Sequence, residues 1–288
     1  MKEIDKSSEV LSIEDLEELL GPFFGTAIGK SLGKLLFKIL KIDTVNEVVS
    51  RYAGLRHADF ARAALRDPEI DVSYRLYGEV NLRRMQEEKV FITVSNHPFG
   101  GIDGLLLVAI VGSLFPDFKV LVNGVLTLIK PLADTWIPVH PMKNKKNYHH
   151  DPDKNISGLR MAVEHLKEGH PMGIFPAGGV AHYDYKLHKP KEQIWQLKST
   201  RILKEADLPV FPVMFGGQNS ALFYRLMNIS YDLNVLRIPA EIFNKKGKEI
   251  PVYLGDPIPP SRLKSYSTLA ETRDFLMNAC MGLIESRR

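Results

Sequence analysis

From Ile70 onward, short β-branched runs alternate with stretches of helical periodicity, and this alternation constrains the fold more than any other feature. Val72, Tyr74 and Leu76 alternate as in a half-buried strand. Val90–Val94 reads as a buried strand, and Lys119–Val122, Trp136–Val139, Met172–Phe175 and Val210–Phe215 read as further strands. Between them, Asn155–Lys167 carries Ile156, Leu159, Ala162, Val163 and Leu166 at helical spacing and closes on Gly169. Trp195–Ala206 and Thr268–Glu285 are helical in the same sense, whereas Ile238–Phe243 and Ile250–Leu254 flank Asn-Lys-Lys-Gly and read as a hairpin. Parallel strands need long crossovers, usually helical, so the pattern predicts an α/β fold with a mainly parallel central sheet flanked by helices. In such sheets ligands bind beyond the strand C-termini. The loops after Val94 and after Phe175 are therefore the places to look for chemistry.

Residues 1–68 read differently, as an N-terminal helical arm ahead of a main domain at 69–288. Ser12 and Asp15 have capping-box spacing, and Gly21-Pro22 ends that first helix. In the segment 22–41, Lys30, Lys34, Lys38 and Lys41 share one helical face, while Phe24, Ile28, Leu32, Leu35, Leu36, Ile39 and Leu40 cover much of the rest. That is the pattern of a basic amphipathic helix lying in a membrane interface, although Gly29 and Gly33 weaken it as an isolated helix. Asp43–Leu65 continues as helix until Asp67-Pro68. The longest apolar run, Gly104–Phe115, has 12 residues, and a spanning helix needs about 20. The bilayer surface is thus an expected partner, with the chain peripheral on the cytoplasmic face of an inner membrane. A net charge of +4 without an RNA-binding aromatic motif gives no reason to expect nucleic acid. One cysteine, Cys280, excludes an intrachain disulfide and a cysteine zinc cage, and its apolar neighbours read as inert core.

The loop after Val94 reads Asn96-His97-Pro-Phe-Gly-Gly-Ile-Asp103-Gly and opens the apolar segment Leu105–Phe115. Histidine near neutral pKa is a suitable general base for a hydroxyl. A carboxylate on its far nitrogen fixes the tautomer and stabilises the imidazolium. Pro98 extends the chain at His97, and Gly100 and Gly101 let the loop fold back so that Asp103 reaches the ring. Backbone N–H groups at the helix start suit a developing oxyanion. The plainer reading makes Asp103 the N-cap of the apolar helix and His97 a hydrogen-bonded strand end.

Asn96-His97 followed by Asp103 resembles the first block of the glycerolipid acyltransferases, the family that includes 1-acylglycerol-3-phosphate acyltransferase. That family has four residues between His and Asp, and this chain has five. Residues 96–104 are similar throughout to a bacterial branch, the lyso-ornithine and lyso-glycine lipid O-acyltransferases. The resemblance implies His97 and Asp103 as catalytic residues. It also implies a substrate site drawn from Asn96, Gly100, Gly101, His140, Phe175, Pro176, Gly178 and Gly179, and no bound cofactor, with acyl-coenzyme A or acyl-carrier protein as co-substrate. The second block, Leu132–His140, lacks the arginine of the glycerol-phosphate enzymes. The third, Phe-Pro-Glu-Gly-Thr-Arg in the wider family, appears as Phe175-Pro-Ala-Gly-Gly-Val180, without the glutamate or the arginine. Leu208–Val213 matches the fourth. The missing arginines turn the expectation from lysophosphatidic acid towards another lyso-lipid acceptor.

Lys186, Lys189, Lys191 and Lys198 follow the third block, and Lys143, Lys145 and Lys146 precede Asn155; each group reads as a phosphate contact or a solvated loop. Adjacent side chains rarely converge on one ion, so His149-His150-Asp151 is not expected to hold a metal. Gly216-Gly217 reads as a turn. A hydrolase would need a nucleophile, and no Gly-x-Ser-x-Gly elbow occurs. A lipid-binding protein without catalysis is the remaining rival.

Overall fold

A computed structural model describes residues 10, 12, 22–139, 152–229 and 231–287. A 3₁₀ turn, Pro22–Gly25, leads into helices α1 (Ala27–Leu40), α2 (Ile42–Arg51) and α3 (His57–Arg66). Then come β1 (Val72–Tyr77), α4 (Val80–Glu88), β2 (Ile92–Ser95), α5 (Ile102–Ile110), β3 (Lys119–Asn123) and β4 (Trp136–Val139). The chain continues through α6 (Pro152–Lys167), β5 (Met172–Ile174), the hairpin β6 (His182–Asp184) and β7 (Lys189–Lys191), α7 (Leu197–Glu205) and β8 (Val210–Phe215). It ends with α8 (Ala221–Ile229), α9 (Tyr231–Phe243), β9 (Lys248–Leu254), α10 (Pro260–Lys264) and α11 (Leu269–Met281).

Seven strands form the main sheet in the order β1-β9-β8-β2-β5-β3-β4. The five from β8 to β4 are mutually parallel, β9 is antiparallel to β8, and β1 runs with β9. The sheet is mainly parallel, as expected. The pleat sends alternate residues to opposite faces: Phe91, Phe211, Val213 and Phe215 join one core, while Ile92, Val94, Val210 and Met214 join the other. Helices α2, α3 and α5 cover the first face, with Phe60, Ala61 and Leu106 buried between them. Trp195, Leu203, Ala162 and Leu276 close the second. His97 follows β2, at the centre of the sheet.

Three expectations change. The run Ile238–Phe243 is no strand but the end of α9, and Asn244, Lys245 and Lys246 donate N–H groups back to Ala240, Ile242 and Phe243. The apolar positions of this short run, Ile238, Ala240, Ile242 and Phe243, satisfy either period, and here Ile238 and Ile242, four apart, both face the His97 loop. Asp43–Leu65 is two helices, separated by turns around Gly54. Finally, α2 and α3 share the main core through Val48, Val49, Phe60 and Leu65. What stands apart is α1, whose own small cluster is Phe37 and Ile42 with Phe24 and Leu40. Most of the residues around the Ser12–Asp15 spacing lie outside the described residues, as do His140, Lys143, Lys145, Lys146, His149, His150 and Asp151.

Candidate active site

The loop between β2 and α5 folds back as its glycines predict. His97 Nδ1 lies 2.6 Å from Asp103 Oδ2 despite the extra residue between them. Gly100 makes the reversal in the left-handed region, at φ 93°. The loop is closely packed: a Cβ on Gly100 would lie 2.8 Å from Val180 Cγ2, and one on Gly101 would lie 3.1 Å from Ile242 Cδ1. Asp103 is not the cap of α5. Gly101 occupies that position without a side-chain cap, and Asp103 instead accepts N–H bonds from Phe99 (3.2 Å) and Gly100 (3.3 Å). These two N–H groups are therefore committed to the carboxylate and not to an oxyanion.

Asp103 is fully buried, and its Oδ1 has no hydrogen-bond partner among the described residues. With an ionised carboxylate as acceptor, the His97 hydrogen sits on Nδ1 and the lone pair on Nε2. Burial pushes the imidazole pKa down, but the Asp103 charge and hydrogen bond, with help from Glu192, hold it above its ordinary value. One side of the ring is occupied by Phe175, whose ring centroid is 4.4 Å away. Asn96, expected to contact substrate, has both ends of its amide on the backbone of Phe215, at 2.9 and 2.8 Å. It ties the end of β2 to β8 and so fixes where His97 begins.

Thus His97, Asp103, Gly100, Gly101 and Phe175 come together. Pro176 is buried, with its carbonyl accepting from Gln196. Gly178 and Gly179 face Gln196 and Gln193. Lys186, Lys189 and Lys191 are on the β6–β7 hairpin or its turn, exposed, with Lys191 3.8 Å from Asp184.

Two groups escaped the sequence reading. Glu192 is buried against the His97 backbone, in a Lys-Glu-Gln stretch that reads as solvated loop. At Phe99, Asn219 Nδ2 donates to the backbone carbonyl (3.1 Å), and Lys245 Nζ donates to Asn219 Oδ1 (3.0 Å). The buried Lys245 ammonium also lies 3.3 Å from Glu241 Oε2 and 5.3 Å from the centre of the Phe99 ring. This strap ties the loop to the end of α9, and a lysine in a turn-like Asn-Lys-Lys-Gly gave no sign of it.

A family model described as "Acyltransferase" matches residues 27–286. The chain belongs to that acyltransferase family. It is 26% identical over 284 residues to a lyso-glycine lipid O-acyltransferase of Bacteroides thetaiotaomicron, covering 94% of this chain and 97% of that protein. A protein of the same name from Phocaeicola vulgatus is 28% identical over 211 residues, covering 70% of this chain and 71% of that protein. Among solved structures, the 1-acyl-sn-glycerophosphate acyltransferase PlsC of Thermotoga maritima aligns with 100% of this chain and 99% of its own, at 18% identity and a TM-score of 0.49.

Proposed function

We propose that this acyltransferase moves a fatty acyl group from the thioester of coenzyme A or acyl-carrier protein to the hydroxyl of a lyso-lipid. The 2.6 Å contact between His97 and Asp103 at the end of the central strand carries the reading. His97 Nε2 takes the hydroxyl proton as the oxygen attacks the thioester carbonyl. Asp103 orients the ring and stabilises the imidazolium. The tetrahedral adduct then expels the thiolate, which receives the proton from His97. Ester and free thiol are the products.

The acceptor to test first is a lyso-glycine lipid, the substrate named for both relatives, and the missing third-block arginine argues against a phosphate headgroup. The work takes place at the membrane surface, on the cytoplasmic face where acyl thioesters are available. Among the described residues no helix is long and apolar enough to cross a membrane. The contact with lipid is made by α1, whose Ile28, Leu32, Leu35 and Ile39 are exposed beside its lysines.

Purified protein with palmitoyl-coenzyme A or palmitoyl-acyl-carrier protein and a panel of lyso-lipids should yield the diacylated product. His97→Ala should lower turnover by about 10²–10⁴-fold with the fold intact. Asp103→Asn should lower turnover more than acceptor binding, because it disturbs the tautomer. Full turnover by His97→Ala would remove the base from the mechanism, and free fatty acid formed without any acceptor would make the protein a hydrolase.

A further inference from the structure

The third block lacks two side chains of the pattern it resembles, and a downstream segment packs on it. Glu192–Gln196 lies directly over Pro176–Val180. Gln196 N donates to the Pro176 carbonyl (2.9 Å), Gln196 Nε2 to the Ala177 carbonyl (3.1 Å), and Gln193 Nε2 to the Val180 carbonyl (2.6 Å). A Cβ on Gly178, itself at φ 67°, would run into the Gln196 amide, and one on Gly179 would lie 2.9 Å from Gln193 Nε2. The glycines are thus what lets this segment settle on the block. Its first residue turns inward. Glu192 is 5% exposed; its Oε2 accepts the His97 backbone N–H at 3.1 Å, and its Oε1 accepts the Trp195 indole N–H at 3.3 Å. The His97 carbonyl in turn accepts from Ala181 N at 2.9 Å. The backbone of His97 is therefore clamped on both sides by the third block and its cover.

We propose that Glu192 is a positioning residue for acyl transfer, a second buried carboxylate that fixes the His97 backbone and holds the positive charge His97 acquires when it takes the hydroxyl proton. The proposal rests on His97 acting as the base. A neutral acceptor would serve the His97 N–H equally well, and a buried carboxylate costs more than an amide, so the charge is the feature that needs a purpose. In a water-poor site its field reaches the imidazole with little screening. Burial outweighs the His97 N–H, the His97 charge and the indole N–H, which pull the other way, and leaves the Glu192 carboxyl raised to about 7. Its ionisation and that of His97 are consequently coupled. Among the described residues, the other titratable groups that feel Glu192 are Asp103, already on the His97 ring, and Cys280 and Tyr224, each pushed up to about 12 by burial and so protonated throughout the working range.

The test is Glu192→Gln in the full chain, followed by imidazole ¹⁵N NMR and by the pH dependence of turnover with palmitoyl-coenzyme A and the best lyso-lipid acceptor. Removing an opposite charge favours neutral imidazole. The His97 titration, assigned by its loss in His97→Ala, and the acid limb of kcat should both move down by about half to one pH unit. Turnover on the plateau should fall about tenfold with KM unchanged. An unmoved His97 titration and an unchanged acid limb would reduce Glu192 to a structural hydrogen-bond acceptor. If the single variant folds poorly because its amide N–H₂ faces the indole N–H, Glu192→Gln with Trp195→Phe removes that clash and is read against Trp195→Phe alone. The NMR titration needs no turnover, so loss of the Glu192 effect and loss of the His97 base are separate results.

Discussion

Two apolar helices, α1 and α5, treat their side chains in opposite ways. In α5, Ile102, Asp103, Leu106, Leu107, Val108, Ala109 and Ile110 are all buried. In α1 the buried residues are Gly29, Gly33 and Phe37, while Ile28 is 76% exposed, Leu35 54% and Ile39 55%. At about 100° per residue, Ile28, Leu32, Leu35 and Ile39 form one stripe, with the glycines on one side of it and Lys30, Lys34 and Lys38 on the other. The glycine face meets the protein, where the carbonyl of Phe23 lies too close to Gly29 to leave room for a Cβ. Both segments are apolar in sequence, yet α5 is core, and its part in the site is to deliver Asp103 from its first turn. An apolar stripe says only that a face must be covered; the neighbouring elements decide by what.

The largest effect should come from removing bulk in α5. Leu107 is 1% exposed and packs on Gly173 of β5, where a Cβ would lie 2.9 Å from Leu107 Cδ2. Leu107→Ala should cost about 2–5 kcal/mol in denaturant unfolding, the range for a leucine truncated in a packed core. Leu35→Ala in α1 should stay within about 0.5 kcal/mol, as an exposed substitution does. Equal losses at the two positions would erase the contrast and mean that α1 is covered by the protein itself.

That contrast also marks how much the sequence could say. The parallel strands were legible because Val, Ile and Phe runs in them have few alternatives. The His97–Asp103 pair was legible because six positions separate the two residues and the glycines between them dictate a reversal. Glu192 is 95 positions from His97 and Asn219 is 120 from Phe99. Those contacts exist only once the sheet has closed, and nothing local announces them. The Ile238–Phe243 run failed for a different reason: its apolar positions Ile238, Ala240, Ile242 and Phe243 fit both periods, and even Pro239 did not keep it out of a helix. Asp103 as a helix cap was a sound local inference, displaced because the carboxylate bonds the loop behind it and not the turn ahead.

The next effect concerns the exposed stripe. Replacing Ile28, Leu35 and Ile39 together by Ser should reduce liposome co-sedimentation by about a hundredfold, since each side chain loses part of the 1.5–3 kcal/mol that burial of a large aliphatic provides. Turnover on detergent-dispersed substrate should be unchanged, because these three side chains are exposed on α1 and outside its buried cluster. Undiminished co-sedimentation would show that some other surface meets the lipid.

The smallest effect separates charge from apolar contact. Lys34 is exposed and lies between Lys30 and Lys38 on its face. A lysine near an anionic bilayer contributes about 1 kcal/mol, so Lys34→Gln should weaken binding to phosphatidylglycerol-containing vesicles by about fivefold. The difference should fade as salt rises to about 1 M, where the Debye length is near 3 Å. On purely zwitterionic vesicles, wild type and variant should bind alike, because no surface potential then acts on the lysine. The apolar triple variant should instead bind poorly to both kinds of vesicle at every salt concentration. If Lys34→Gln reduced binding to zwitterionic vesicles as much as to anionic ones, the lysine stem would be acting as apolar contact, and the lysine face would belong to the same buried surface as the stripe.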